Sequence, residues 1–228
     1  MMSNIWVRRL VMALAALSAS ACSYGSAVDI APFKDRLARP MVPSGDYCQA
    51  EGAQGAYLIS TEADCGKLTW NAAKRSFDVV DEDKPKDVLS FAILALGDGL
   101  FATQYDVTDP ADRPDKHQLN LMIASGKAFA GLGVLDGDEL DVVLKRHPKL
   151  KIGDTAGKDD YIAAGDVAEI KAFLRDAGGA SIKARREKGE EVEVVVLDNR
   201  RKKEHPASPA QVKDIEAVKA IAERLAPK

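Results

Sequence analysis

The chain reads as an α+β protein: an antiparallel β-meander, sandwich or barrel-like, followed by a helix, a β-hairpin and a C-terminal helix. Two patterns carry this. Between residues 76 and 145, runs of branched and aromatic residues alternate with a period of two and are separated by glycine turns, as successive hairpins require. From residue 165 the apolar period lengthens to that of an amphipathic helix. A hydrophobic content of 46% is globular rather than disordered, and about 200 residues suffice for one proper core.

The first 21 residues stand apart. Arg8 and Arg9 precede an apolar run, Leu10 to Leu17, and then the small residues Ser18, Ala19, Ser20 and Ala21 lead into Cys22. A positive start, a short apolar stretch and a small-residue exit make a secretory signal over 1–21. The run falls short of the roughly 20 apolar residues that span a bilayer.

Ala19-Ser20-Ala21 fits the exit of an ordinary signal peptidase. Ala19-Ser20-Ala21-Cys22 also resembles the lipobox of bacterial lipoproteins, with Ala19 where that family most often has leucine. The resemblance implies cleavage before Cys22 and acyl chains, palmitate among them, on that residue. Ser23 stands where an aspartate tends to retain such proteins on the inner membrane. The resemblance therefore implies a lipid anchor on the periplasmic face of the outer membrane, with a soluble periplasmic form as the alternative.

Cysteine arithmetic favours the anchor. The chain has three cysteines, Cys22, Cys48 and Cys65. An exported protein meets an oxidising compartment, where an odd thiol is a liability. Acylation of Cys22 leaves an even pair, and Cys48 with Cys65 reads as a structural disulfide. Neither C-x-x-C spacing nor a neighbouring histidine argues for a metal or redox pair.

Residues 22–43 read as the lipidated N-terminus and a tether, interrupted by Pro32, Pro40 and Pro43, with room for a short strand or helix between Asp29 and Leu37 to dock on the body. The antiparallel β-region is expected over 44–152, with strands at 76–80, 88–96, 100–107, 118–125, 128–135 and 139–145. Leu119, Leu121 and Ile123 share one face, and so do Leu140, Val142 and Leu144. Gly97-Asp98-Gly99, Ser125-Gly126 and Asp136-Gly137 are turn signals.

The remainder, 153–228, is read as helix, hairpin and helix. Asp166 is an N-cap with Glu169 placed for a capping box, Val167, Ile170, Phe173, Leu174 and Ala177 form the apolar stripe, and Gly178 is a stop signal. Residues 180–198 are expected to form a hairpin turning near Lys188-Gly189. Ser208 and Pro209 open the last helix, whose inner face is Val212, Ile215, Val218, Ala222 and Leu225.

Chemistry is sparse. His117, His147 and His205 lack a second histidine at ligand spacing and are expected in exposed loops, so no metal site is assigned. No G-x-S-x-G elbow marks a nucleophile, "ASGKAFAG" lacks the phosphate-loop spacing, and no catalytic residue or cofactor is assigned. Acids cluster in turns: Asp78, Asp81, Glu82 and Asp83; Asp106, Asp109 and Asp112; Asp136, Asp138, Glu139 and Asp141. They do not follow the EF-hand order.

Removing Arg8 and Arg9 takes the formal charge from −3 to −5, which argues against nucleic acid as a partner. The basic stretch at 200–203, with Lys183, Arg185 and Arg186 nearby in sequence, reads first as a solvated face beside Glu187, Glu190, Glu191 and Glu193, and otherwise as a contact for an anionic glycolipid. The functional expectation is a membrane-anchored envelope protein that acts by binding or as a scaffold, reaching the membrane through Cys22 and meeting an envelope protein or glycolipid. The alternative is a carrier of a small apolar ligand, with Leu119, Leu121, Leu140 and Val142 lining its cavity. A hydrolase with dispersed residues is the weakest reading.

Overall fold

The computed structural model describes residues 24–53, 55–60, 65–80, 88–106, 116–135, 137–154, 160–198 and 203–226. The signal segment and Cys22 lie outside them.

The fold is α+β, and its centre is an antiparallel eight-stranded β-barrel. In chain order the barrel strands are β2 (Gly45–Ala53), β4 (Cys65–Asn71), β5 (Ser76–Val80), β6 (Val88–Gly97), β7 (Leu100–Asp106), β8 (His117–Ser125), β9 (Ala128–Leu132) and β12 (Val194–Leu197). Each pairs with the next, β12 lies between β9 and β2, and the β8–β9 ladder closes the circle. Closure pairs every strand and leaves the barrel no free edge.

Short elements decorate the barrel. β3 (Ala56–Ile59) continues beside β2 beyond β4, and β13 (His205–Pro206) pairs with β3. β8 shares its second edge: Leu121–Ser125 pair with β9, whereas His117–Leu119 pair with β1 (Tyr24–Ser26). β1 runs parallel to β11 (Asp160–Ala164), which pairs with β10 (Lys151–Asp154).

Side chains of a closed sheet alternate between lumen and exterior. One set forms an aromatic-rich cluster of Tyr47, Leu68, Phe77, Phe91, Ile93, Met122 and Phe129. Its rings meet at 5.1 Å (Tyr47 and Phe129) and 6.0 Å (Phe77 and Phe91). This set contains no helix residue and fills the lumen. The other set, including Leu94, Leu100, Leu119, Leu121, Leu132 and Val196, packs on helices. These are α1 (Gly137–Leu144), α2 (Val167–Glu187) and α3 (Pro209–Leu225).

Both long helices start where their caps are written. Asp166 accepts a hydrogen bond from the Ala168 amide, and Ser208 with Gln211 forms a reciprocal capping box. Ile215, Val218 and Ala222 are buried as the stripe requires.

Four expectations change. First, residues 24–43 dock on the body over more of their length than the expected contact between Asp29 and Leu37. β1 lies in the sheet, Ile30, Ala31 and Val42 are buried, and a 3-10 turn spans Phe33–Asp35. The Gln104 carboxamide oxygen accepts from the Ile30 and Ala31 amides at 2.8 and 3.3 Å, which straps this segment to the barrel wall. The described fold thus begins two residues after Cys22.

Second, residues 139–144 belong to α1 rather than to a strand, and Lys145 lies in the turn that follows. Positions i and i+4 share a face in either structure, so Leu140 and Leu144 do not discriminate. Val143 is the buried residue, and Val142 is 56% exposed. Asp138 and Glu139 suit the positive N-terminal end of a helix. Gly137, expected in a hairpin turn, opens that helix, and Asp136 lies outside the described residues.

Third, Gly178 does not stop α2. The helix runs on through Gly178 and Gly179, both buried, to Glu187, and Lys188 caps it ahead of Gly189 at φ 72°. A Cβ on Gly178 would come within 3.2 Å of Leu100. The glycine is there for close helix-to-sheet approach, not for a left-handed turn. Fourth, the expected hairpin at 180–198 is therefore the end of α2 and then β12, which inserts into the barrel.

Candidate functional site

Cys48 and Cys65 form a disulfide, as expected. They face one another across the β2–β4 ladder with Cα atoms 4.0 Å apart. Cys48 is fully buried against the outer core. Cys22 lies outside the described residues, as do Asp81, Glu82, Asp83, Asp109, Asp112, Asp136 and residues 200–202 of the basic stretch.

The histidines are not exposed loop residues. His147 is buried, with its Nδ1 3.4 Å from a Glu169 oxygen and its Nε2 3.3 Å from Asp176. Its ring packs edge-on against Phe173. Glu169 therefore serves this contact instead of the capping box. His147 is a clamp that pins the end of α1 to α2. His117 lies in β8 with its Nδ1 2.8 Å from Asp106 on β7. His205, in β13, lies 3.4 Å from the buried Asp198, which is also held by Gln211. Each histidine thus has a carboxylate neighbour, but the three occupy different parts of the fold. Among the described residues, no group of three His, Cys, Asp or Glu side chains is placed to hold a metal ion.

The residues expected to line a carrier cavity are dispersed. Leu119 and Leu121 are buried between the barrel wall and the helices, Leu140 packs on the same core, and Val142 faces solvent.

Two concave surfaces lined by described residues stand out. The larger, a groove of about 470 Å³, lies between the C-terminal part of α2, α3 and β3. Tyr57 donates from its hydroxyl to Glu216 at 2.6 Å. The Lys219 ammonium lies 4.9 Å above the Tyr57 ring and 2.7 Å from Glu191. Arg186 meets Glu223 at 3.3 Å. Burial, reinforced by the Glu216 contact, pushes the Tyr57 hydroxyl above its usual range. For Lys219 the largest influence, burial, pushes down, but the contacts with Glu191 and Tyr57 outweigh it and the net shift is upward. The contacts Tyr57–Glu216, Lys219–Glu191 and Arg186–Glu223 thus hold α3 against β3 and the end of α2.

The second is a cleft of about 400 Å³ under the N-terminal strap. Its wall is a row across three strands, Ser76 on β5, Ala92 on β6 and Gln104 on β7, which are successive Cα partners. Phe33 and Arg36 of the strap and Lys74 of the β4–β5 turn form its rim, with Ser90 and Asp106 also lining it. Arg36 donates to the carbonyl oxygens of Ala31 and Lys74, at 2.8 and 3.1 Å, which ties strap to turn. The Arg75 guanidinium lies 4.7 Å over the Phe33 ring.

Sequence reasoning missed both surfaces, because each is assembled from segments far apart in the chain. The nearest signal was the excess of Lys and Arg around 183–186, which does flank the groove. Comparison with family models, with curated proteins and with solved structures finds no match to this chain.

Proposed function

We propose that the chain is a lipoprotein of the bacterial cell envelope, held by acyl chains on Cys22 to the periplasmic face of the outer membrane. It acts there as a binding or scaffold component, with an envelope protein or an anionic glycolipid as its partner.

The observation that carries this reading is the state of the cysteines. Cys48 and Cys65 are joined, so Cys22 is left as the odd sulfur, directly behind Ala19-Ser20-Ala21. A disulfide suits an oxidising compartment. An odd thiol at a mature N-terminus in that compartment is stable when it is converted to a thioether. Several acyl chains, at about 0.8 kcal/mol per buried CH2, then hold the protein firmly. Among the described residues, no helix is long and apolar enough to cross a membrane.

The test is mass spectrometry of the mature N-terminus together with fractionation of the envelope. The expected result is an N-terminal peptide beginning at an acylated Cys22, found with the outer membrane, and release or precursor accumulation in the Cys22→Ser variant. Recovery of an unmodified Cys22 in a chain that washes freely from the envelope overturns the reading in favour of a soluble periplasmic protein.

A further inference from the structure

We propose that the cleft under the N-terminal strap binds a small oxyanion carried on a hydroxylated body, by chemical class a sugar acid or a sugar phosphate. This site is independent of the anchor.

Its charged lining is unbalanced. Arg36 and Lys74 line the cleft, and the one carboxylate among the lining residues, Asp106, already faces His117 at 2.8 Å. Among the described residues neither cation has a carboxylate partner, and Arg36 spends its bonds on backbone carbonyls. The contrast with the larger groove is direct. There Lys219 and Arg186 each have their own glutamate, and Arg185 rests on a backbone carbonyl, that of Glu191.

The floor points the same way. The Ser76 hydroxyl is buried, with residue exposure of 3%, and has no hydrogen-bond partner among the described residues. Buried hydroxyls are normally satisfied, so this one marks a place where a partner belongs. On the next strand, the Ser90 hydroxyl donates to Asp78 and keeps its lone pairs as acceptors. Two hydroxyls on the floor and two cations at the rim match a ligand with an anionic end and hydroxyl groups. A cleft of about 400 Å³ falls in the range of small-molecule sites and exceeds what a bare ion needs.

The test uses the full chain in neutral detergent micelles, with calorimetry and backbone amide shifts as readouts. The probes are glucose 6-phosphate and glucuronate, with glucose as the uncharged control. At least one anionic probe should bind saturably, with shifts centred on Lys74, Ser76 and Ser90, and glucose should bind at least tenfold more weakly. The tighter anion identifies the oxyanion as phosphate or carboxylate. Ser76→Ala and Lys74→Gln should each weaken binding at least fivefold, and Ser76→Ala should leave the melting temperature unchanged or raised. The proposal is overturned if neither anion shifts these amides, if glucose binds equally well, if the shifts centre on the α2–α3 groove, or if both variants retain full affinity.

Discussion

Cys48 and Cys65 close a loop of 17 residues in sequence separation. In the chain-entropy account such a crosslink stabilises by about 3 kcal/mol, which at this chain size corresponds to a melting temperature roughly 6–12 °C higher. Cys48→Ser should lose that amount in a reversible thermal melt while membrane association stays as in the wild type. An unchanged melt, with free thiols detected in the native protein, would sink the structural role. Tyr24 supports a second prediction. Its hydroxyl accepts from the Leu135 amide at 2.9 Å, and burial pushes its pKa up to about 12 despite that bond. Burial also pushes Tyr47 upward. In the unfolded chain a tyrosine ionises near pH 10, so between about pH 10 and 12 the unfolded state loses protons that the folded state keeps. The contribution is therefore intact below pH 10 and declines as pH rises through that window. Urea titrations at pH 9, 10.5 and 11.5 should show falling stability, with a shallower fall in Tyr24→Phe.

At the scale of elements, the glycines of α2 decide how closely it meets the barrel. Gly178→Leu should destabilise by about 1–3 kcal/mol, because an added side chain meets Leu100, which has no exposed surface into which to move. Chemical denaturation measures this, and a neutral result would mean the helix can lift away freely. The same residue shows what a local reading misses. Gly178-Gly179 resembles a stop signal because the usual helix terminus needs a residue tolerant of positive φ, whereas here the need for a missing Cβ comes from β7 and β8, far away in sequence. Leu140 and Leu144 were ambiguous for a different reason, since a separation of four is in phase with both periods. By contrast, the strands over 76–125 and the last helix were legible, because Gly97-Asp98-Gly99, Gly126 and the Ser208 cap are local devices. The strap cleft was not legible at all. Arg36, Lys74, Ser76 and Ser90 carry no motif, and only the closure of the barrel brings them together.

For the whole molecule, the strap is part of the core rather than an attachment to it. Deleting residues 23–44 removes β1 and the buried side chains of Tyr24, Ile30 and Val42. At about 1.5–3 kcal/mol for each large side chain, the loss approaches the net stability of a typical domain. A chain starting at Gly45 should therefore be unfolded or melt far below one starting at Ser23, as circular dichroism would show. Equal melts would show that the segment is a tether that adds nothing to the core. The early start of β1 also limits where such a protein can work. Two peptide links reach at most about 7.6 Å, so on the proposed anchoring through Cys22 the body would ride close to the headgroups. A compact chain of this size is about 40 Å across, and on that same proposal this distance would set its reach from the bilayer. If the anchor is as proposed, whatever it engages has to come to the membrane surface to be met.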